Sequence, residues 1–531
     1  MLVFAFTVNA QRVRSVRGFV PPPVPAPAIE PASCALTPLT PELCNDGGTP
    51  ASSLSAAEVE AVVRGAARAL NENGMTIAVV DRAGRPLALF RKPGASPSND
   101  DAAVGVARTA AFFSHNQAPL SSRTVRFISG IHFPPGITNT PSAALYGIEN
   151  TNRGCDFNVT FAPGKCIPRA RSLSGGVGPG IVTGKVFPGD ADPRSVNAGG
   201  IPLYRGQQLL GAVGVAGVPD PDRAEYAAAS GAFAAAGIVP VPFFPLPHPG
   251  NVFIDGIRLP FLGPGLRLNF NDDGNPTGVR LSDTTAGTDA GTFVIAPLNG
   301  GCAANEDLVT PRAGTRLTQA EVEAIIDRAV ATARRTRAQI RLPLNRYARM
   351  VIAVADVNGE VLALHRMPDA TVFSVDVAVA KSRNVVWFSE NGIGGLVPPG
   401  TAVTNRTIAF GGQPFFPSGI DSNVFDPREG PWYQSLFVRD LTNPCTQGDQ
   451  PANPNQNGIV FFAGSTPLYR NGQIVGGLGV SGDGIEQDDY VTFFAAGELL
   501  PPQDRWADRI VVDGVRLPMF KFPRQPEGVD E

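Results

Sequence analysis

Charge is scarce in this 531-residue chain, where Asp, Glu, Lys and Arg supply 17% of positions against roughly 25% in an average domain. The formal net charge of −3 provides no basic footprint of the kind that nucleic acid or an anionic membrane would select. No stretch reaches the ~18 apolar residues needed to span a bilayer as a helix. Histidine occurs four times, as His115, His132, His248 and His365, and none lies two or four positions from another. No histidine-based zinc site is therefore written locally. There is no CxxC, which removes zinc-ribbon and thioredoxin readings, and no GxSxG elbow. Ser374, Asp376 and His365 have no spacing that marks a catalytic triad. A Gly-X-Y period is absent as well, and abundant proline with few charges excludes a coiled coil.

What the chain has instead is loop-forming sequence around ordinary cores. It contains 59 Gly and 51 Pro, yet 43% of residues are hydrophobic, enough to bury a sizeable interior. Six cysteines (Cys34, Cys44, Cys155, Cys166, Cys302 and Cys445) all fall in Pro/Gly/Asn-rich stretches. An even number of loop cysteines points to disulfides and an oxidising compartment. Cys302 paired with Cys445 would tie a late insertion to the entry of its domain, leaving four cysteines to pair in one of three ways. The opening MLVFAFTVNAQ is a short apolar run ending in Val8-Asn9-Ala10, a small-residue pattern that fits signal-peptidase cleavage. It lacks a basic flank, so we read it as a clipped signal peptide, set against a plain unstructured tail.

The chain repeats itself. LSAAEVEAVVRGA (54–66) matches LTQAEVEAIIDRA (317–329), and IAVVDRAGRPLALFRKPGA (77–95) matches IAVADVNGEVLALHRMPDA (352–370). DAAVGVARTAAFFSHN (101–116) matches DVAVAKSRNVVWFSEN (376–391), and PLYRGQQLLGAVGVAG (202–217) matches PLYRNGQIVGGLGVSG (467–482). Short tails correspond too, DGIRLPFL (255–262) with DGVRLPMF (513–520). Blocks in one order indicate two homologous domains. We divide the chain into a Pro-rich leader (1–50), a first domain (51–262, insertion about 117–198), a linker (263–314), a second domain (315–522, insertion about 392–462) and a tail (523–531).

Within each repeat, a capping box (Ser55 with Glu58, Thr318 with Glu321) opens an amphipathic helix carrying Val59, Val62, Ala66 and Leu70 on one stripe. A hairpin follows, Ile77–Asp81 and Pro86–Arg91 around Gly84. An Ala/Val-rich helix from Asp101 or Asp376 comes next, then two strands (Ile201–Arg205, Leu209–Ala216) and a last helix over Ala227–Ala235. Gly477-x-Gly479-x-x-Gly482 matches a dinucleotide fingerprint formally, but it runs into Asp483, Glu486, Asp488 and Asp489, and repeat one has Ala212 at its first glycine. A tightly packed strand explains it better. Asp376 and Arg383, seven apart, share a helix face with each other, and the plain reading of Asp376, Lys381 and Arg383 is a charge network.

At these blocks the sequence resembles the GlcG/HbpS-like, or haem-degrading domain, family. Repeat two carries the family pattern as Ile352–Asp356, Gly359, His365-Arg366-Met367-Pro368-Asp369-Ala370, Ser374, Asp376, Lys381, Gly476–Gly482 and Asp488. Repeat one keeps Asp81, Gly84, Arg91, Gly94-Ala95, Ser98, Asp101 and Gly211–Gly217, but has Lys92 for the Met, Val106 for the Lys, and Arg223 set opposite Asp488. The resemblance implies an α+β class: two tandem profilin-like α/β domains, each an antiparallel sheet of about five strands flanked by helices, with long loop insertions. It also implies an extracytoplasmic (periplasmic or secreted) tandem protein that binds haem or a related tetrapyrrole and assembles as a homo-oligomer, with haem degradation as an associated activity. On this reading haem lies against the second hairpin and the 373–388 helix. His365 or Met367 lies near the iron, with His365 taken as the metal ligand; Lys381 or Arg383 pairs with the propionates, and Arg366 and Asp376 complete the cofactor-binding set. The rival expectation is a non-enzymatic interaction protein whose insertions form the partner surface, in which case Phe373, Trp387 and the insertion fill that space. An enzyme acting on a small hydroxy acid or aldehyde is a third reading, resting only on the metabolic setting of relatives.

Overall fold

The capped, amphipathic segments and alternating hairpins of the sequence become helices and strands at the expected places. The structure, a computed structural model, describes residues 53–130, 133, 142–162, 198–242, 252–254, 256–300, 307–417 and 428–530. The leader, Cys34, Cys44, Cys166, Cys302, His132 and His248 lie outside the described residues.

Repeat one comprises α1 (Ala56–Ala69), β1 (Thr76–Asp81), β2 (Pro86–Arg91), α2 (Asp100–Phe113), α3 (Ser122–Ile128), β3 (Gly200–Arg205), β4 (Gln208–Ala216) and α4 (Pro221–Ala234). The capping box at Ser55 and Glu58 is formed, and Val59, Val62 and Ala66 are buried along α1. Two small hairpins follow, β5 (Phe253–Ile254) with β6 (Ile257–Arg258) and β7 (Arg267–Phe270) with β8 (Pro276–Arg280), then β9 (Thr292–Ile295) and β10 (Asp307–Val309). Repeat two comprises α5 (Gln319–Arg335), β11 (Met350–Ala355), β12 (Val361–Arg366), α6 (Ser374–Asn391), α7 (Asn405–Gly411), a π-helical turn (Tyr433–Val438), α8 (Arg439–Thr442), β13 (Ser465–Arg470), β14 (Gln473–Gly482) and α9 (Ile485–Ala496). A final hairpin, β15 (Val511–Val512) with β16 (Val515–Arg516), matches β5–β6.

Each repeat forms a five-stranded antiparallel sheet, in the orders β3-β4-β1-β2-β9 and β13-β14-β11-β12-β10. Both edge strands come from the stretch read as a linker. It turns back to extend β2 with β9, and runs forward to extend β12 with β10. One face of each sheet carries the first and last helices (α1 with α4, α5 with α9), and the other carries α2 or α6. Gly477 and Gly479 let α6 settle onto β14. A Cβ at either would collide with the carbonyl oxygen of Ser382 or Ala378, as one at Gly214 would with Ala103 in repeat one. Close packing, rather than phosphate binding, is what this glycine run serves.

The repeats meet where α2 ends and α6 begins. Phe113 stacks on Phe373 with ring centres 4.1 Å apart, and the Val372 amide donates to the Phe112 carbonyl at 2.9 Å. Beside them lies a buried ionic seam: Asp369 accepts from Arg82 of repeat one at 2.5 Å and from Arg341 at 2.7 Å, and Arg341 also reaches Asp483. Burial, with the Arg341 charge next in weight, holds His115 in this seam well below the usual imidazole value. Cys445 is bonded to Cys155 rather than to Cys302, so the disulfide joins the two insertions across the repeats. Sequence spacing could not reveal this, because pairing depends on how the insertions cross in space.

Candidate functional site

The hairpin–α6 region of repeat two is built from buried charge. Of α6, all residues from Ser374 to Ser389 except Trp387 are buried, because the sheet covers one side and the insertions the other. Lys381 donates to the Val480 carbonyl at 2.8 Å and to Asp488 at 3.0 Å, and its ammonium lies 4.9 Å from the centre of the Phe462 ring. Desolvation lowers the Lys381 pKa and pushes Asp488 up to about 7. Arg383 donates to the carbonyl of Gly359 in the hairpin turn (2.8 Å), to Asn457 (3.1 Å) and to the Phe157 carbonyl (2.6 Å). Arg108 makes the same turn contact to Gly84 in repeat one, at 2.8 Å, so this role is a shared structural clamp.

Asp376 accepts from the Asn152 amide at 2.8 Å and from Asn457 at 3.3 Å, and burial raises it to about 6. Asp376 and Arg383 thus meet through Asn457, each tied to the insertions, and not as a direct ion pair. Arg366 is buried and donates to the Ala370 carbonyl, closing its own loop. Met367 is 2% exposed, its sulfur accepting from the Met350 amide at 3.4 Å. His365 stands apart from all of these. Its Nδ1 lies 2.8 Å from Asp307 of β10, and it lies near Asp327 of α5, placing it on the sheet face opposite α6. The structure therefore does not bring His365 together with Lys381 and Arg383, because a β-strand sends successive side chains to opposite faces. Among the described residues, no cluster of three or more His, Cys, Asp or Glu could hold a metal ion. Insertion residues Asn152, Phe157 and Asn457 bond Asp376 and Arg383 where a ligand was expected, Phe373 packs on Phe113, and Trp387 is only partly buried.

Contacts also correct one correspondence. Arg123 pairs with Glu225 as Arg406 pairs with Asp489, which aligns Ala224, not Arg223, with Asp488. Ala224 also lies beside Gly199 as Asp488 lies beside Gly464. Arg223 instead pairs with Glu72 at 2.9 Å.

A cleft of about 490 Å³ opens nearby, between α7, the start of α9, the end of the second repeat and residues 142–144 of the first insertion. Phe410, Phe461, Phe462 and Phe520 supply aromatic wall, and Arg406 and Lys521 supply positive charge. Sequence reading missed it because α7 sits in the insertion. The available signal was a short duplicated motif, Ser121-Ser122-Arg123-Thr124 and Thr404-Asn405-Arg406-Thr407, each forming a capping box. Thr124 and Thr407 then bond the matching tails, to the carbonyls of Pro260 (2.6 Å) and Pro518 (2.7 Å).

A family model described as haem-degrading protein, HbpS-like, matches residues 54–232 and again 317–496. A curated relative, an uncharacterised 15.0 kDa protein of the dhaT–dhaS intergenic region of Citrobacter freundii, is 27% identical over 141 residues, covering 26% of this chain and 68% of its own. A solved PduOC:heme complex is 20% identical, with TM-score 0.23, over 36% of this chain and all of its own. A double mutant of HbpS from Streptomyces reticuli is 20% identical, with TM-score 0.21, over 35% of this chain and 89% of its own.

Proposed function

From the premise that the chain belongs to the HbpS-like family of haem-degrading proteins, we propose that it binds haem or a related tetrapyrrole, and that the cleft of repeat two receives it. The observation that carries this reading is the cleft itself: about 490 Å³, within the roughly 300–1,000 Å³ usual for small-molecule sites, with aromatic walls, two cations and one acid, Glu486, paired with Lys521. Flat aromatic walls suit a macrocycle, and the open Nη2 of Arg406 suits a propionate. No histidine, cysteine or methionine is among the described residues that line it, so these side chains fit the porphyrin's plane and edge rather than its iron. When bound, haem supplies its own redox chemistry, and the chain's part is to hold and orient it. We also propose export to an extracytoplasmic compartment, which the Cys155–Cys445 bond supports.

Hemin titration tests the reading. A saturable Soret band is expected, abolished by Ala409→Trp, which fills the cleft from α7, and unchanged by His365→Ala. A band lost with His365→Ala but kept with Ala409→Trp would move the ligand to the hairpin. A second reading, an interaction protein without catalytic activity, is favoured by one observation: insertion residues Asn152, Phe157 and Asn457 bond Asp376 and Arg383 on α6, where a ligand was expected. No saturable band at all would leave that reading standing alone.

A further inference from the structure

The two repeats treat one arginine differently, and the difference leaves a buried guanidinium nitrogen open in the second of them. In repeat one, Arg123 is saturated by two carboxylates of α4: Glu225 at 2.8 Å and Asp222 at 2.7 Å. Its counterpart Arg406 spends Nε on Asp489 at 2.5 Å, while its buried Nη2 has no hydrogen-bond partner among the described residues. The residue that would complete the set, by its place in α9, is Glu486. It pairs instead with Lys521.

The cause lies one element away. Lys521 and Gly263 hold the same place in the duplicated tail, and both backbone amides bond the deeper carboxylate, Asp489 at 3.0 Å and Glu225 at 2.7 Å. A Cβ at Gly263 would collide with the Asp222 carboxylate. Glycine there makes room for the acid to close on Arg123. Lysine in the second copy removes that room and draws the acid to its own ammonium. Gln413, also on the cleft wall, keeps a buried Oε1 with no partner among the described residues.

We propose that Arg406, kept open because Lys521 holds Glu486 away from it, forms a carboxylate subsite for a flat, largely apolar ligand in the cleft of repeat two, and that Asp222 fills the equivalent place in repeat one. For the natural ligand this rests on the tetrapyrrole reading, the carboxylate then being a propionate. The subsite itself is defined by charge and shape.

The full-length protein is titrated with hemin, with hemin dimethyl ester, and with the fluorescent anion 1-anilinonaphthalene-8-sulfonate. Lys521→Gly should release Glu486 onto Arg406 and weaken hemin at least tenfold. Adding Glu486→Gln should restore affinity to within threefold of the parent, which replacing a lost lysine contact could not do. The ester should bind at least tenfold more weakly than hemin. An unaffected Lys521→Gly variant, a double variant no better than the single one, or equal binding of ester and acid would each overturn the subsite. If hemin fails to bind while the sulfonate follows the same order of variants, the subsite stands and the tetrapyrrole reading falls. If neither binds, both fall.

Discussion

Behind the second helix the two repeats share a backbone and differ in what they bury. Repeat two places Lys381 against Asp488, both almost fully buried, whereas repeat one has Val106 and Ala224 at those positions. Gly464 marks how tight the charged version is, since a Cβ there would lie 2.6 Å from the Lys381 ammonium. Both partners changed together, as the physics requires. Burying two charges is offset by their mutual attraction, and an apolar pair serves as well, but half a pair leaves an uncompensated ion. The same contrast holds at the start of the helix, where Asp376 is buried under the first insertion while its counterpart Asp101 is exposed.

Substitutions that convert one repeat toward the other probe this difference. Lys381→Val alone should cost about 3–5 kcal/mol in denaturant unfolding, and adding Asp488→Ala should recover most of it. A double variant as unstable as the single one would show that the pair is not exchangeable. The Cys155–Cys445 bond should contribute about 2–5 kcal/mol, read as the shift in unfolding midpoint between Cys155→Ser and the parent. No shift would mean the insertions hold each other without it. The smallest effect concerns pH. Asp376 is raised to about 6 by burial, so the folded state holds its proton more tightly than the unfolded chain. Stability from this group is therefore greatest below about pH 4 and falls as pH rises through 6, by about 3 kcal/mol at most. Asp376→Asn should flatten that slope, and Asp101→Asn should leave it unchanged. Unfolding at several pH values decides between them.

The secondary structure was legible because each signal is local. The capping boxes, the hairpin around Gly84 and the buried stripe of α1 depend on neighbours a few residues away. The duplication made the fold readable, since the same order of blocks occurs twice. The site was less legible. The family resemblance put His365, Lys381 and Arg383 together, but strand alternation sent His365 to the other face. Arg223 was set opposite Asp488 because an ungapped alignment hides a one-residue difference at the helix start. The cleft depends on α7, a tail residue and an acid on α9 meeting in space, and no local pattern encodes that meeting. Its one written trace was the repeated arginine between two capping hydroxyls.

The disulfide has a consequence for how the protein survives damage. Cys155 and Cys445 are 290 positions apart, and between them lie the end of repeat one, all of the connecting stretch and the start of repeat two. Any single backbone cut inside that span would leave both pieces covalently attached. A protease could nick the chain at its exposed connection without separating the halves, and a gel run without reductant would register no loss.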